Sequence, residues 1–126
     1  MSVPADRKYA QTHEWFKADG QTVTIGITQF AADELTDITY VELPQAGREV
    51  AAGTSCGEIE SVKATAELLC AVSGVVSEVN PRLADEPELV NHDPFGEGWM
   101  IRVQASDLGP LSKLMDAAAY GKMINE

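Results

Sequence analysis

One lysine stands alone in the middle of this sequence. Lys63 is the only lysine between Lys17 and Lys113, and the other basic residues of that span, Arg48, Arg82 and Arg102, cannot be acylated in the same way. An enzyme that modifies an amine must reach it without unfolding its substrate, so a target lysine belongs at a turn and must be distinguishable from other lysines. Cys56 and Cys70 lie seven residues before and seven after Lys63. A hairpin centred on the lysine would put them on facing strands, either as small buried side chains, the commoner fate of free cysteine, or as redox thiols. His13 and His92 are far apart, and neither sits in a Cys/His cluster with metal-ligand spacing, so no metal site is expected. No Cys–His pairing offers a nucleophile with its base, and no catalytic residue is expected either.

The elements that would position Lys63 follow from pattern and punctuation. Asp19-Gly20 is a turn signal, and Val23, Ile25 and Ile27 then alternate with smaller or polar residues as a half-buried strand does. Thr28 can cap a short helix running to Leu35, with Asp33 and Glu34 on its wet face. Asp37–Leu43 is β-branched and aromatic and is stopped by Pro44. Gly47 and Gly53 punctuate short extended pieces. Ser55–Val62 and Ala64–Val72 read as strands flanking Lys63, and Ser73-Gly74 turns the chain into Val75–Val79. Lys63 therefore belongs near a hairpin tip. Asp85–Val90 suits the first turn of a short helix, Asp93–Gly98 is dense in turn residues, and Trp99–Val103 returns as a strand. Leu111, Leu114, Met115 and Ala118 fall at i, i+3, i+4 and i+7, which predicts an amphipathic helix over about Pro110 to Ala119.

The chain as a whole bounds what such a site can serve. Its 126 residues fit one domain spanning 1–126, since a chain of this size buries roughly two-thirds of its unfolded surface around a single core. The formal charge of −11 comes from 20 acidic residues spread along the chain. A diffuse negative surface repels nucleic acid and anionic lipid and favours encounter with positively charged proteins. Met1–Tyr9 lacks the apolar core of a signal peptide, and no apolar run approaches a membrane span. The expectation is a soluble cytoplasmic monomer that contacts neither nucleic acid nor membrane.

The segment Glu60-Ser61-Val62-Lys63-Ala64, with Gly47, Val50 and Gly53 before it and Val72-Ser73-Gly74 after it, resembles the attachment hairpin of lipoyl and biotinyl carrier domains. Biotin carriers place methionine on both sides of the lysine, whereas Val62 and Ala64 stand here, so lipoate is the better reading. The resemblance extends to His13-Glu14-Trp15, Ile25-Gly26-Ile27-Thr28, Val41-Glu42-Leu43-Pro44, Glu88-Leu89-Val90-Asn91, Asp93–Trp99 and the closing helix. Together these are similar to the H proteins of the glycine cleavage system over about residues 8 to 124.

That resemblance implies a mainly β fold, the barrel-sandwich hybrid of lipoyl domains. It consists of two small antiparallel sheets, short peripheral helices and a C-terminal helix. It implies a non-catalytic carrier with lipoate attached covalently to Lys63, within the recognition segment Glu60, Ser61, Val62 and Ala64. Its partners would be a lipoate-protein ligase or lipoyl synthase, then glycine decarboxylase, aminomethyltransferase and dihydrolipoamide dehydrogenase. Thr12, Glu14 and Glu67 fall where family members fold the loaded arm into a cleft, and a carboxylate there can pair with a protonated amine. The bland alternative is that Glu14 and Glu67 are surface acids.

The sequence also departs from that family's pattern. Cys56 and Cys70 are not part of it, Ala71 replaces a proline, Glu58 a small or apolar residue, and Thr36 a glycine. Some H-like proteins are lipoate-binding carriers for a heterodisulfide-reductase-like complex that oxidises sulfur compounds. Thiols near the arm would suit that chemistry, which is kept as the alternative.

Overall fold

A computed structural model describes residues 3–125. The chain runs through β1 (Lys8–Tyr9), β2 (Glu14–Asp19), β3 (Thr22–Ile27), α1 (Gln29–Leu35), β4 (Ile38–Glu42), β5 (Glu49–Val50), β6 (Thr54–Ser61), β7 (Thr65–Cys70) and β8 (Gly74–Val79). A 3-10 turn at Pro81–Ala84 leads to α2 (Leu89–His92) and β9 (Ile101–Ala105). A second 3-10 turn at Gly109–Lys113 precedes α3 (Ala117–Ile124). Pairing is antiparallel throughout. One six-stranded sheet has the order β1-β2-β3-β9-β8-β5, and a three-stranded sheet has the order β4-β6-β7. This is the mainly β architecture of two antiparallel sheets that the sequence implied.

The two sheets share one core. Val23, Ile25, Val76, Ile101 and Val103 from the larger sheet belong to the same buried cluster as Ile38, Val41, Ile59 and Leu68 from the smaller. Fully burying a side chain of this size is worth about 1.5–3 kcal/mol, so register is fixed on both sheets by what must face inward. Glycines with positive φ mark the turns that the sequence punctuated: Gly20 at +62°, Gly47 at +96° and Gly53 at +85°. The cap on α1 is also as expected, with the Ala31 N–H donating to Thr28 Oγ1 at 3.3 Å.

The C-terminal helix differs from its sequence reading. The 3-10 turn ends at Lys113, Leu114 is extended, and Met115 forms a β-bridge with Tyr9 through bonds of 2.8 and 3.0 Å. Only then does Asp116 cap α3, accepting from the Ala119 N–H at 2.8 Å. The apolar spacing therefore spans two elements. Leu111 packs into the main core, whereas Tyr120 joins Tyr9 and Trp15 in a separate aromatic cluster, stacked on Tyr9 at 4.8 Å between ring centroids. Strand β9 likewise begins at Ile101, two residues later than read.

Trp15 of that cluster lies across Gly26, its partner in the β2–β3 ladder. A Cβ at residue 26 would sit 2.8 Å from three atoms of the indole. Gly26→Ala is expected to destabilise the protein by about 1–3 kcal/mol, the usual cost of forcing a methyl into a packed site. Urea unfolding would show a lower midpoint at unchanged slope, and an unchanged midpoint would refute the close approach.

Candidate functional site

Strands β6 and β7 pair from Thr54↔Cys70 to Glu60↔Thr65, leaving Ser61–Ala64 as the connecting turn. Lys63 and its neighbours Val62 and Ala64 are exposed there, Val62 by 69%. The turn is held by its own first residue. The Ser61 N–H donates to Ala64 O at 2.8 Å, while Ser61 Oγ accepts from the Lys63 and Ala64 N–H groups at 3.2 and 3.0 Å and donates to Ala64 O at 3.0 Å. A serine in this position supplies the turn with bonds that backbone alone would not. The Val62 N–H reaches outside the hairpin, donating to Asp37 O at 3.1 Å. Glu60 is exposed on β6, where its carbonyl accepts from Thr39 Oγ1 at 3.3 Å.

The tip therefore rests against the end of α1, whose last carbonyls have no partners within the helix. Each finds one elsewhere. Asn91 Nδ2 donates to Ala32 O at 3.5 Å, the Thr36 N–H to Asp33 O at 3.3 Å, Lys63 Nζ to Glu34 O at 3.2 Å and Thr36 Oγ1 to Leu35 O at 2.6 Å. A cation at a helix C-terminus is also favoured by the peptide dipoles. Thr36 carries φ +60°, a value that glycine adopts far more readily than threonine.

Of the three residues expected to form a cleft, the structure brings Thr12 and Glu14 together and sets Glu14 against β7. Glu14 is 1% exposed, which corrects the reading of it as a surface acid. Thr12 Oγ1 donates to Glu14 Oε1, and the Leu69 N–H donates to Glu14 Oε2 at 3.3 Å. Burial pushes the Glu14 carboxyl above its ordinary value, against these hydrogen bonds, which favour the ionised form. Glu67 is exposed two residues earlier on the same strand, opposite Glu58. Sequence reasoning missed what surrounds Glu14. Thr28 Oγ1 and Tyr120 Oη share a 2.6 Å hydrogen bond, and Tyr120 Oη also meets His13 Nδ1 at 2.8 Å. Only the placement of Tyr120 in α3 reveals that chain, and local spacing had drawn that helix elsewhere.

Cys56 and Cys70 do lie on facing strands, but both are free and buried in the main core at 2% and 1% exposure. Cys56 Sγ donates to Leu68 O at 3.3 Å and Cys70 Sγ to Val72 O at 3.0 Å. The Cys70 thiol beside it, together with burial, pushes the Cys56 thiol far above its ordinary value. The same contact holds the Cys70 thiol below its ordinary value, so it is the burial of both sulfurs, which denies reagents access, that favours a structural role for the pair. Among the described residues no cluster of metal-ligating side chains occurs, and no helix is long and apolar enough to cross a membrane.

Comparison with known proteins agrees with this geometry. The family model described as glycine cleavage H-protein matches residues 7–126. A glycine cleavage system H protein of Symbiobacterium thermophilum is 46% identical over 125 residues, spanning 99% of this chain and 98% of its own length. One from Staphylococcus saprophyticus is 48% identical over 126 residues, spanning all of both chains. The crystal structure of a glycine cleavage system H protein from Mycobacterium marinum superposes with a TM-score of 0.89 at 37% identity, covering 98% of this chain and all of that one. The sulfur-oxidation alternative finds no support in these matches.

Two measurements check the site's electrostatics. A carboxyl with a raised folded pKa holds its proton more tightly in the folded chain. Its contribution to stability is complete below the unfolded pKa and is lost as pH rises through the folded one. Urea midpoints taken from about pH 4 to about pH 8 should therefore show Glu14→Gln gaining on the wild type as pH rises; parallel curves would remove the burial argument. Iodoacetamide should leave Cys56 and Cys70 unmodified in the native protein and label both in urea. Rapid native labelling of either would restore the redox reading.

Proposed function

The chain belongs to the glycine cleavage H-protein family, and on that premise we propose that Lys63 is acylated by lipoate to form its carrier arm. The protein then moves an aminomethyl group and electrons between the enzymes of glycine cleavage, as a carrier subunit with no catalytic residue of its own. The observation that carries this reading is the placement of Lys63. It is exposed on a turn whose backbone is fixed by Ser61 and by Asp37, with Val62 standing out beside it as an apolar handle for a modifying enzyme.

When attached, the lipoyl group supplies a dithiolane, an electrophilic disulfide when oxidised and two thiols when reduced, able to accept a group and electrons together. The chain's own residues do the rest. Lys63 gives up its charge in becoming an amide, and the rigid β6–β7 ladder keeps the attachment point in place. Tethering raises the effective concentration of the reactive end at each partner's site. Glu14, backed by Thr12 and Leu69, offers a carboxylate to a protonated amine, with Glu67 adding negative charge on the same strand. Around the tip, Asp33, Glu34, Asp37, Glu58, Glu60 and Glu67 are all exposed acids. They favour encounter with positively charged surfaces on partner enzymes.

The partners on this reading are lipoate-protein ligase or lipoyl synthase for loading. Glycine decarboxylase, aminomethyltransferase and dihydrolipoamide dehydrogenase then act in turnover. The carrier acts as a single-domain monomer in the cytoplasm.

Protein from cells with active lipoylation should carry a lipoyl adduct on Lys63 by intact mass and peptide mapping. Lys63→Arg should lose both the adduct and reconstituted glycine cleavage while its thermal unfolding stays within about 2 °C of wild type, as for most surface substitutions. An unmodified wild-type Lys63 would overturn the proposal. Restored glycine cleavage in a strain lacking its own H protein supports this pathway; failure together with sulfur-dependent reduction of the arm favours the other. Glu14→Ala should speed the loss of cargo to water by about tenfold, the worth of one charge-assisted hydrogen bond, and an unchanged rate would exclude Glu14 from its protection.

A further inference from the structure

We propose that Asn91 is a positioning residue for Lys63, fixing the segment of chain on which the hairpin tip rests. Asn91 stands in α2, and its side-chain hydrogen bonds go to Ala32, Thr36 and Ile38 rather than to Lys63 or its neighbours in sequence. Its side-chain amide is nevertheless wholly engaged with the connection between α1 and β4. Asn91 Oδ1 accepts from the Ile38 N–H at 2.9 Å, and Asn91 Nδ2 donates to Thr36 O at 2.6 Å and, at longer range, to Ala32 O at 3.5 Å. Its carbonyl accepts from Gln29 Nε2 at 3.0 Å. One amide thus spans from the last turn of α1 to the first residue of β4 and grips Asp37 from both sides.

Asp37 is the residue that the tip leans on. Its carbonyl accepts from the Val62 N–H, the one backbone donor at the tip that leaves the hairpin. Ile38 begins the β4–β6 pairing opposite Ser61, with a register shift immediately after it. A strand start beside such an irregularity has little ladder of its own to define it, and Thr36 before it sits at φ +60°, a conformation threonine does not choose unaided. The Asn91 side chain is what holds both in place. Without it, the Thr36–Ile38 connection loses two strong bonds, and the Val62 N–H loses a fixed acceptor. Lys63 would then move with a tip whose backbone has lost its anchor on Asp37, leaving the exposed Nζ bond to Glu34 O as the lysine's own tie outside the hairpin.

This inference rests on the reading that Lys63 receives a lipoyl group, and the test keeps the two apart. Apo-protein, wild type and Asn91→Ala, would be given to a lipoate-protein ligase with lipoate and ATP, with modification followed by intact mass. Backbone hydrogen exchange would be measured in parallel. The expected result is a KM for apo-protein raised about tenfold with kcat within about twofold, because the ligase must order the tip itself. Exchange at Val62 should be faster by about tenfold while the core amides of Ile25 and Val103 keep wild-type protection. If wild-type Lys63 is not modified, the carrier reading fails. If it is modified and Asn91→Ala matches it in KM, or Val62 exchange is unchanged, the positioning proposal is overturned. Equal loosening of Val62 and the core amides overturns it as well, since that is general destabilisation. Should Asn91→Ala not fold, Asn91→Asp decides by the same criteria, because it keeps the acceptor for Ile38 and loses the donors to Thr36 and Ala32.

Discussion

A group that must be handled by enzymes has to stand clear of the surface, yet the backbone beneath it must not yield. The ladder between β6 and β7 meets both demands. Six paired positions run from Thr54↔Cys70 to Glu60↔Thr65, with Ile59 and Leu68 turned inward to the shared core and Glu58, Glu60 and Glu67 turned out. A two-stranded ribbon alone is marginal in water. Its third strand, β4, and the larger sheet behind it supply the burial that makes the ribbon a stiff support. The remaining elements follow from that need: α1 and the Asp37 connection buttress the tip, and β2 brings Glu14 against β7.

The base of the hairpin is as dry as the tip is wet. Cys56, Leu68 and Cys70 belong to the buried cluster, and each thiol donates to a backbone carbonyl, Cys56 to Leu68 O opposite the bulge at Ser55–Gly57 and Cys70 to Val72 O. Cysteine suits such places because it is small, apolar and a weak donor. The carboxyl of Glu14 lies in the same dry region but keeps partners on both oxygens. A charge there is costly until something neutralises it. Such a carboxyl is held by hydrogen bonds rather than by water, and burial disfavours its charged form.

Much of this was legible in the sequence wherever the signal was local. Thr28 caps α1, Gly20, Gly47 and Gly53 turn with positive φ, and alternation at Val23, Ile25 and Ile27 marked a strand before any partner was known. Lys63 at a tip followed from the turn and the two flanking runs. What the sequence hid depended on distant neighbours. In β2 the residues Glu14, Trp15 and Phe16 are buried in succession, so no period-2 pattern announced the strand or the burial of the acid. Leu114 and Met115 keep helical spacing but are drawn out of a helix by Tyr9: two backbone bonds to β1 and an aspartate cap one residue later are enough. Asn91 appeared only as one letter of a motif, because its partners lie more than fifty positions earlier.

The lysine at the tip has an occupation of its own, apart from any modification. Its ammonium closes the C-terminal end of α1 at the Glu34 carbonyl. Acylation by lipoate, as proposed, would turn that ammonium into a neutral amide that keeps a single N–H, so one donor remains while the positive charge favoured at the helix C-terminus is lost. On that proposal the two forms would differ by more than an appended chain, since the same event removes a positive charge from the end of α1. A protein that recognises the end of α1 could tell an empty carrier from a finished one without touching the arm.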